Sequence, residues 1–62
     1  MVVELVDSVA GTPVYVNPDY VVTLRPDPGD PDHISIVRTR DGKSIRVRGS
    51  DREVADKLAR PR

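Results

Sequence analysis

The chain has 62 residues, no cysteine and one histidine. These counts exclude a disulfide framework, a thiol nucleophile, a zinc site built on cysteines and a histidine-rich metal cage within one chain. Ten basic and ten acidic residues give zero net charge, so the overall charge favours neither nucleic acid nor a membrane surface.

The order of apolar and turn-forming stretches along the sequence predicts one small domain, 1–62, of mainly β (α+β) class. We expect an antiparallel meander of about five short strands, because β-branched residues are abundant and turn residues separate the apolar stretches. The predicted strands are 2–6, 14–16, 20–25, 33–40 and 44–48. The segment 26–32 is a Pro/Asp-rich loop, since three prolines in seven residues exclude a helix and a central strand.

One C-terminal helix is predicted at about 50–60, followed by a tail at 61–62. It begins with a capping box in which Ser50 and Glu53 exchange hydrogen bonds. Val54, Ala55 and Leu58 form its apolar stripe, which must dock on the sheet because so short a helix is unstable alone. The predicted core consists of Val3, Leu5, Val14, Val16, Leu24, Val37, Ile45, Val47, Val54 and Leu58.

The core must be thin, because the apolar set contains eleven valines and neither phenylalanine nor tryptophan. A domain of about 60 residues buries only about 60% of its unfolded surface, and such chains usually need a disulfide, a metal or a partner subunit. With a disulfide impossible and no metal site supported, we expect a homo-oligomer. No apolar run approaches the roughly 20 residues of a membrane span, and no signal peptide is recognisable, so we expect a cytoplasmic protein.

The hairpin at Asp41-Gly42 decides which way the arginines point. A two-residue loop would place Arg38 opposite Ile45, on the apolar face. A three-residue loop with a glycine bulge would pair Arg40 with Ser44 and Val37 with Val47. We favour the second register because burying an unpartnered arginine is costly. It places on one face Ile34, Ile36, Arg38, Arg40, Arg46 and Arg48.

No enzyme is predicted, and we assign no catalytic, cofactor-binding or metal-binding residue. Asp27, Asp30 and Asp32 do not have the spacing of an EF-hand calcium loop, and we interpret them as a solvated acidic turn. His33 has no nucleophile placed beside it by spacing, and we interpret it as a surface residue at the entry of a strand.

The stretch 11–21 contains Gly11, an aromatic/aliphatic strand and Asn17-Pro18-Asp19, and 41–54 contains a Gly-Lys hairpin, a strand and a Ser-x-x-Glu-Val helix start. This order resembles the small flagellar FlbD (SwrD-like) family over roughly residues 2–58. The resemblance implies a small non-enzymatic accessory protein, and carries over Asn17, Pro18, Asp19 and Gly42 as structural turn residues. The layout of five strands and a helix is also similar to the carbon storage regulator family of dimeric RNA-binding proteins.

From these observations we expect an accessory or regulatory interaction module, bacterial or phage in origin, that binds a protein through a sheet face or edge. The predicted protein-contact residues are Ile34, Ile36, Arg38 and Arg46, on a face that would meet either another subunit or a different protein. The alternative is an RNA- or DNA-binding regulator that uses a basic hairpin, since phosphate contacts supply most non-specific affinity. Its contact residues would be Arg38, Arg40, Lys43, Arg46 and Arg48.

Overall fold

A computed structural model describes residues 1–59 and confirms the mainly β, α+β fold class. The elements are β1 (Val3–Val6), β2 (Pro13–Val16), a 3-10 turn (Pro18–Tyr20), β3 (Val21–Pro26), β4 (Ile34–Thr39), β5 (Ser44–Arg48) and α1 (Asp51–Leu58). The predicted tail at 61–62 and the predicted helical residue 60 lie outside the described residues. No helix within residues 1–59 is long and apolar enough to cross a membrane.

The five strands form two antiparallel sheets rather than one continuous meander. One sheet contains β1 and β2, and the other has the order β3-β4-β5. The sheets meet where Asp7 bridges to Val47 and where the Ser8 amide donates to the Arg46 carbonyl at 2.9 Å. The strands therefore follow one another in space as β2-β1-β5-β4-β3, with β2 and β3 at the two ends.

The 3-10 turn explains why β2 and β3 do not continue the meander. The Asn17 side chain accepts a hydrogen bond from the Asp19 amide at 2.9 Å, and Pro18 occupies the first turn position. A tight hairpin needs a residue with positive φ, and among the described residues only Gly11, Gly42 and Gly49 have one. The chain therefore leaves β2 through a helical turn and enters a different sheet.

The β4–β5 hairpin has the predicted faces but different pairs. Its loop is 40–42, closed by the Thr39 amide donating to the Lys43 carbonyl at 2.9 Å. Gly42 has a φ of +87°, which is the left-handed position that ends a three-residue loop. The predicted pairs Arg40–Ser44 and Val37–Val47 are therefore wrong, and Ser44 opposes Arg38. Because the displacement is two residues, every side chain keeps its face.

The apolar core matches the prediction in membership. All ten predicted residues belong to the core cluster, which also includes Val21. Five of them are buried, namely Leu5, Val16, Val37, Val47 and Val54. Ser35 on β4 is buried with them, and its hydroxyl donates to the Gly49 carbonyl at 2.8 Å. The core is thin, as predicted, because its apolar side chains are small.

Helix α1 closes the core from one side of the three-stranded sheet. Its capping box is present: the Ser50 hydroxyl accepts from the Glu53 amide at 3.1 Å, and the Glu53 carboxylate accepts from the Ser50 amide at 2.9 Å. Val54 is buried and Leu58 half-buried against the strands. Ala55, predicted in the same stripe, is exposed. The sheet surface away from α1 is therefore left as a separate face.

Candidate functional site

The candidate site is the surface of the sheet β3-β4-β5 that faces away from α1, here called the outer face. Directly opposed residues of an antiparallel sheet point to the same side, and Val37 and Val47 point into the core. The alternate residues therefore form the outer face. They are Thr23, Arg25, Asp27, Ile34, Ile36, Arg38, Ser44, Arg46 and Arg48.

An ion pair spans the outer face between its two outer strands. Nη2 of Arg46 donates to Oδ2 of Asp27 at 2.9 Å, and the Asp27 side chain is only 9% exposed against 53% for Arg46. Asp27 directly follows β3 and Arg46 lies on β5, so the guanidinium reaches across β4. The prediction of a solvated acidic turn is thus wrong for Asp27, which the fold buries and neutralises.

The two outer-face isoleucines are half-buried and not freely exposed. Ile36 lies in a row between Arg25 and Arg46, and Ile34 is opposite Arg48. Arginine stems are long enough to cover apolar neighbours while the charged ends stay in water. Ile34 and Ile36 therefore form an apolar floor beneath the arginines, and Arg38 and Arg46 of the predicted contact set share this face with them.

The outer face carries a concentrated positive charge. Four arginines accompany one aspartate among these nine residues, and Arg48 also lines a depression with Asp30, Asp32 and Glu53. Within residues 1–59, the guanidinium groups of Arg25, Arg38 and Arg48 make no hydrogen bond or ion pair. Arg48 extends toward the loop after β1, since a Cβ on Gly11 would be 3.2 Å from its Nη2. Arg25 and Arg38 remain over the sheet.

A cleft of about 270 Å³ lies between these two arginines. Its lining is Thr23, Arg25, Ile36, Arg38 and Ser44. Thr23, Arg38 and Ser44 form one row across the three strands, and Arg25 and Ile36 belong to the next. The cleft thus combines two guanidinium groups and two hydroxyl groups around an apolar base. Arg25, Thr23 and Ser44 escaped the sequence prediction because their approach to Arg38 depends on the pairing of three strands.

The predicted basic hairpin does not form one surface. Arg40 lies in the loop, where its guanidinium carbon is 5.3 Å from the centre of the Tyr20 ring and its Nη2 donates to the Asp19 carbonyl at 3.4 Å. Arg40 and Tyr20 line a separate depression of about 420 Å³ with Tyr15, Val16 and Ile45. Lys43 is exposed beside the loop. Only Arg38, Arg46 and Arg48 of that set share the outer face.

The titratable groups whose pKa values are altered lie outside this face. His33 is exposed, as predicted, and its ring Nδ1 is 2.8 Å from an Asp30 oxygen. That hydrogen bond raises the pKa of His33. Backbone amides of Ala10 and Val9 lower the pKa of Asp7. No group of three His, Asp or Glu side chains suited to a metal ion occurs in the part of the chain that the structure describes.

Comparisons with protein-family models, curated proteins and solved structures give no match for this chain. The resemblance to the FlbD family therefore stays a prediction, and the outer face is the feature of the molecule that bears on function.

Proposed function

We propose that this protein is a small non-enzymatic interaction module that binds an acidic protein partner through the outer face. The observation that supports the proposal is the combination of four arginines with the apolar floor of Ile34 and Ile36. Arginine is enriched at protein interfaces, and a central apolar contact surrounded by polar groups is their usual composition. Electrostatic attraction would orient a negatively charged partner before contact.

The face is a better binding surface than the sheet edge. Strands β2 and β3 are the two free edges, but Pro13 at the start of β2 and Pro26 at the end of β3 have no amide proton to donate. The pairing with β4 also shifts between Val21 and Thr23, and such a bulge hinders the addition of a further strand. We therefore assign partner binding to the side chains of the outer face.

A protein partner is favoured over nucleic acid for two reasons. The outer face contains no aromatic side chain on which bases could stack, and stacking is the usual mark of single-strand binding. The arginines of the predicted hairpin are also divided, since Arg40 contacts Tyr20 and Arg46 is neutralised by Asp27. A continuous track for a phosphate backbone is therefore missing from the hairpin, and RNA binding becomes an outcome of the test.

We also propose that the chain self-associates, through the groove between β3 and α1. Its lining contains no charged residue, and Val22 is 60% exposed. Thr23, where the pairing of β3 with β4 shifts, lines both this groove and the outer-face cleft. The lining residues are Pro18, Val21, Val22, Thr23, Leu24, Ala55, Leu58 and Ala59. A symmetric dimer through the outer face would instead oppose arginine to arginine. Val22→Asp should therefore lower the mass measured by light scattering, whereas Ile36→Asp should leave it unchanged.

The proposed function is tested by measuring fluorescence anisotropy with a labelled peptide in which two leucines are flanked by glutamates, and with single-stranded RNA of equal charge. Arg38→Gln should weaken peptide binding about tenfold, as expected for the loss of one charge-assisted hydrogen bond. Ile36→Ser should weaken peptide binding as well, because it removes one of the two residues of the apolar floor. Arg52→Gln is the matched control, since Arg52 is an exposed arginine on α1.

Two results would contradict this function. One is peptide binding that neither Arg38→Gln nor Ile36→Ser alters. The other is RNA binding that is tighter than peptide binding at about 150 mM salt and that depends on Arg38 but not on Ile36, since the apolar floor would then have no part in recognition.

A further inference from the structure

We infer that the cleft between Arg25 and Arg38 binds a phosphomonoester group, carried by a phosphorylated side chain of the protein partner. This inference rests on the proposed function and specifies which group of the partner the outer face recognises. It identifies four donor side chains, namely Thr23, Arg25, Arg38 and Ser44.

The strand register brings these four side chains together. Thr23 is opposite Arg38, and Arg38 is opposite Ser44, so their Cβ atoms follow one another at the roughly 5 Å spacing of directly opposed residues. Arg25 is opposite Ile36, the adjacent outer-face residue of β4. All four donors therefore surround one cleft of about 270 Å³, with Ile36 at its base.

None of the four donors is used within the described chain. The side chains of Thr23, Arg25, Arg38 and Ser44 make no hydrogen bond or ion pair with any other residue of 1–59. Arg46 on the same face shows the contrast, because the fold supplies it with the Asp27 carboxylate. Like charges that are close together on a sheet destabilise it. An anion in the cleft would remove that repulsion and satisfy all four donors.

The donor set fits a phosphomonoester better than a carboxylate. A phosphorylated side chain carries about −1.5 to −2 charges at pH 7 and three acceptor oxygens. A guanidinium group binds phosphate through two parallel hydrogen bonds, because its N–H donors form a planar fork that matches two phosphate oxygens. Two guanidinium groups and two hydroxyls exceed what the two oxygens and single charge of a carboxylate would use, and they match the charge and oxygens of a phosphomonoester.

A phosphodiester backbone fits the surroundings of the cleft less well. Each of its phosphates carries one charge, so affinity accumulates along a row of basic residues. The arginines next to the cleft do not continue such a row, because Arg46 is paired with Asp27 and Arg48 extends toward Gly11. An isolated site for a doubly charged group is therefore the better interpretation.

The test compares one acidic peptide in three forms, with serine, glutamate or phosphoserine at its centre, by isothermal titration calorimetry of the full chain. We expect the phosphoserine form to bind at least about tenfold tighter than the other two. Arg25→Gln and Arg38→Gln should each remove most of that advantage, and Arg38→Lys should remove part of it because a lysine keeps the charge but loses the fork. Arg52→Gln should keep the full advantage.

Thermal melting provides a second measurement that does not require a peptide. Inorganic phosphate should raise the melting midpoint by several degrees more than chloride at equal ionic strength, since a ligand that binds only the folded state stabilises it. The extra rise should be absent in Arg25→Gln and Arg38→Gln, and their midpoints in chloride report whether these variants fold.

The outcomes separate this inference from the proposed function. If the serine and phosphoserine peptides bind equally well and Ile36→Ser weakens both, the interaction module stands and the phosphomonoester site is refuted. If inorganic phosphate acts through Arg25 and Arg38 while no peptide binds, the assignment to a protein partner is refuted. Tighter binding of an RNA of equal charge than of the phosphoserine peptide would also refute it, in favour of nucleic acid.

Discussion

The ion pair between Asp27 and Arg46 leads to an asymmetric prediction about stability. Asp27→Asn removes the buried charge but leaves Arg46, whose side chain is 53% exposed and can return to water. A hydrogen bond to a charged group contributes about 1.5–3 kcal/mol, and solvent screening at a half-exposed partner reduces this. We therefore expect Asp27→Asn to cost about 1–2 kcal/mol.

Arg46→Met should cost more, because it leaves the Asp27 carboxylate, which is 9% exposed, without its partner. Removing one partner of a fully buried pair costs about 3–5 kcal/mol, and the partial exposure of this pair lowers the value to about 2–3 kcal/mol. In a domain of this size 1 kcal/mol corresponds to about 4–8 °C in the melting midpoint. The two variants should therefore differ by several degrees.

The assay is thermal and urea unfolding of the wild type, the two single variants and the double variant, followed by circular dichroism. The cost of the double variant should fall short of the sum of the two single costs, since both remove the same interaction. Equal midpoints for the two single variants, or a larger cost for Asp27→Asn, would refute the reasoning. Asp27→Asn should also strengthen anion binding to the outer face, because it releases one more positive charge there.

Three further predictions concern the strand–helix junction. Gly49→Ala should cost about 1–3 kcal/mol in urea unfolding, because Gly49 has a φ of +114°, whereas the control Gly29→Ala, without a positive φ, should cost much less. Ser50→Ala should cost about 1 kcal/mol by the same measurement, and Ser50→Thr should restore most of it. Hydrogen bonds from the Ser50 backbone and side chain lower the pKa of Glu53. The Glu53 carboxylate therefore stabilises the fold above its unfolded pKa, and this stabilisation is lost as the pH falls through its lower folded pKa. Melting midpoints measured against pH should decline less on acidification in Glu53→Gln than in the wild type.

The parts of the fold that depend on residues close together in sequence could be predicted from the sequence. The capping box of Ser50 and Glu53 spans three positions, and its hydrogen bonds form whenever the helix starts there. The alternation of apolar and polar residues placed Val37 and Val47 in the core and Arg38 and Arg46 on the opposite face. Such alternation survives a register shift of two residues, which is why the faces were predicted although the pairs were not.

The parts that depend on distant pairing could not be predicted in the same way. Asp27 and Arg46 are 19 positions apart in sequence, and their contact requires that β4 lie between β3 and β5. The approach of Arg40 to Tyr20 likewise follows from the position of the 3-10 turn beside the hairpin loop. Gly42 could have indicated the register, since the left-handed position comes last in a three-residue loop.

The most direct test of partner binding by the outer face is an NMR titration that observes the arginine Nε–H signals. With the acidic phosphoserine peptide, the signals of Arg25 and Arg38 should shift most, while those of Arg40 and Arg52 stay near their starting positions. Shifts confined to Arg40, beside Tyr20, or to Arg52 on α1 would contradict the account, because the partner would then bind away from the outer face.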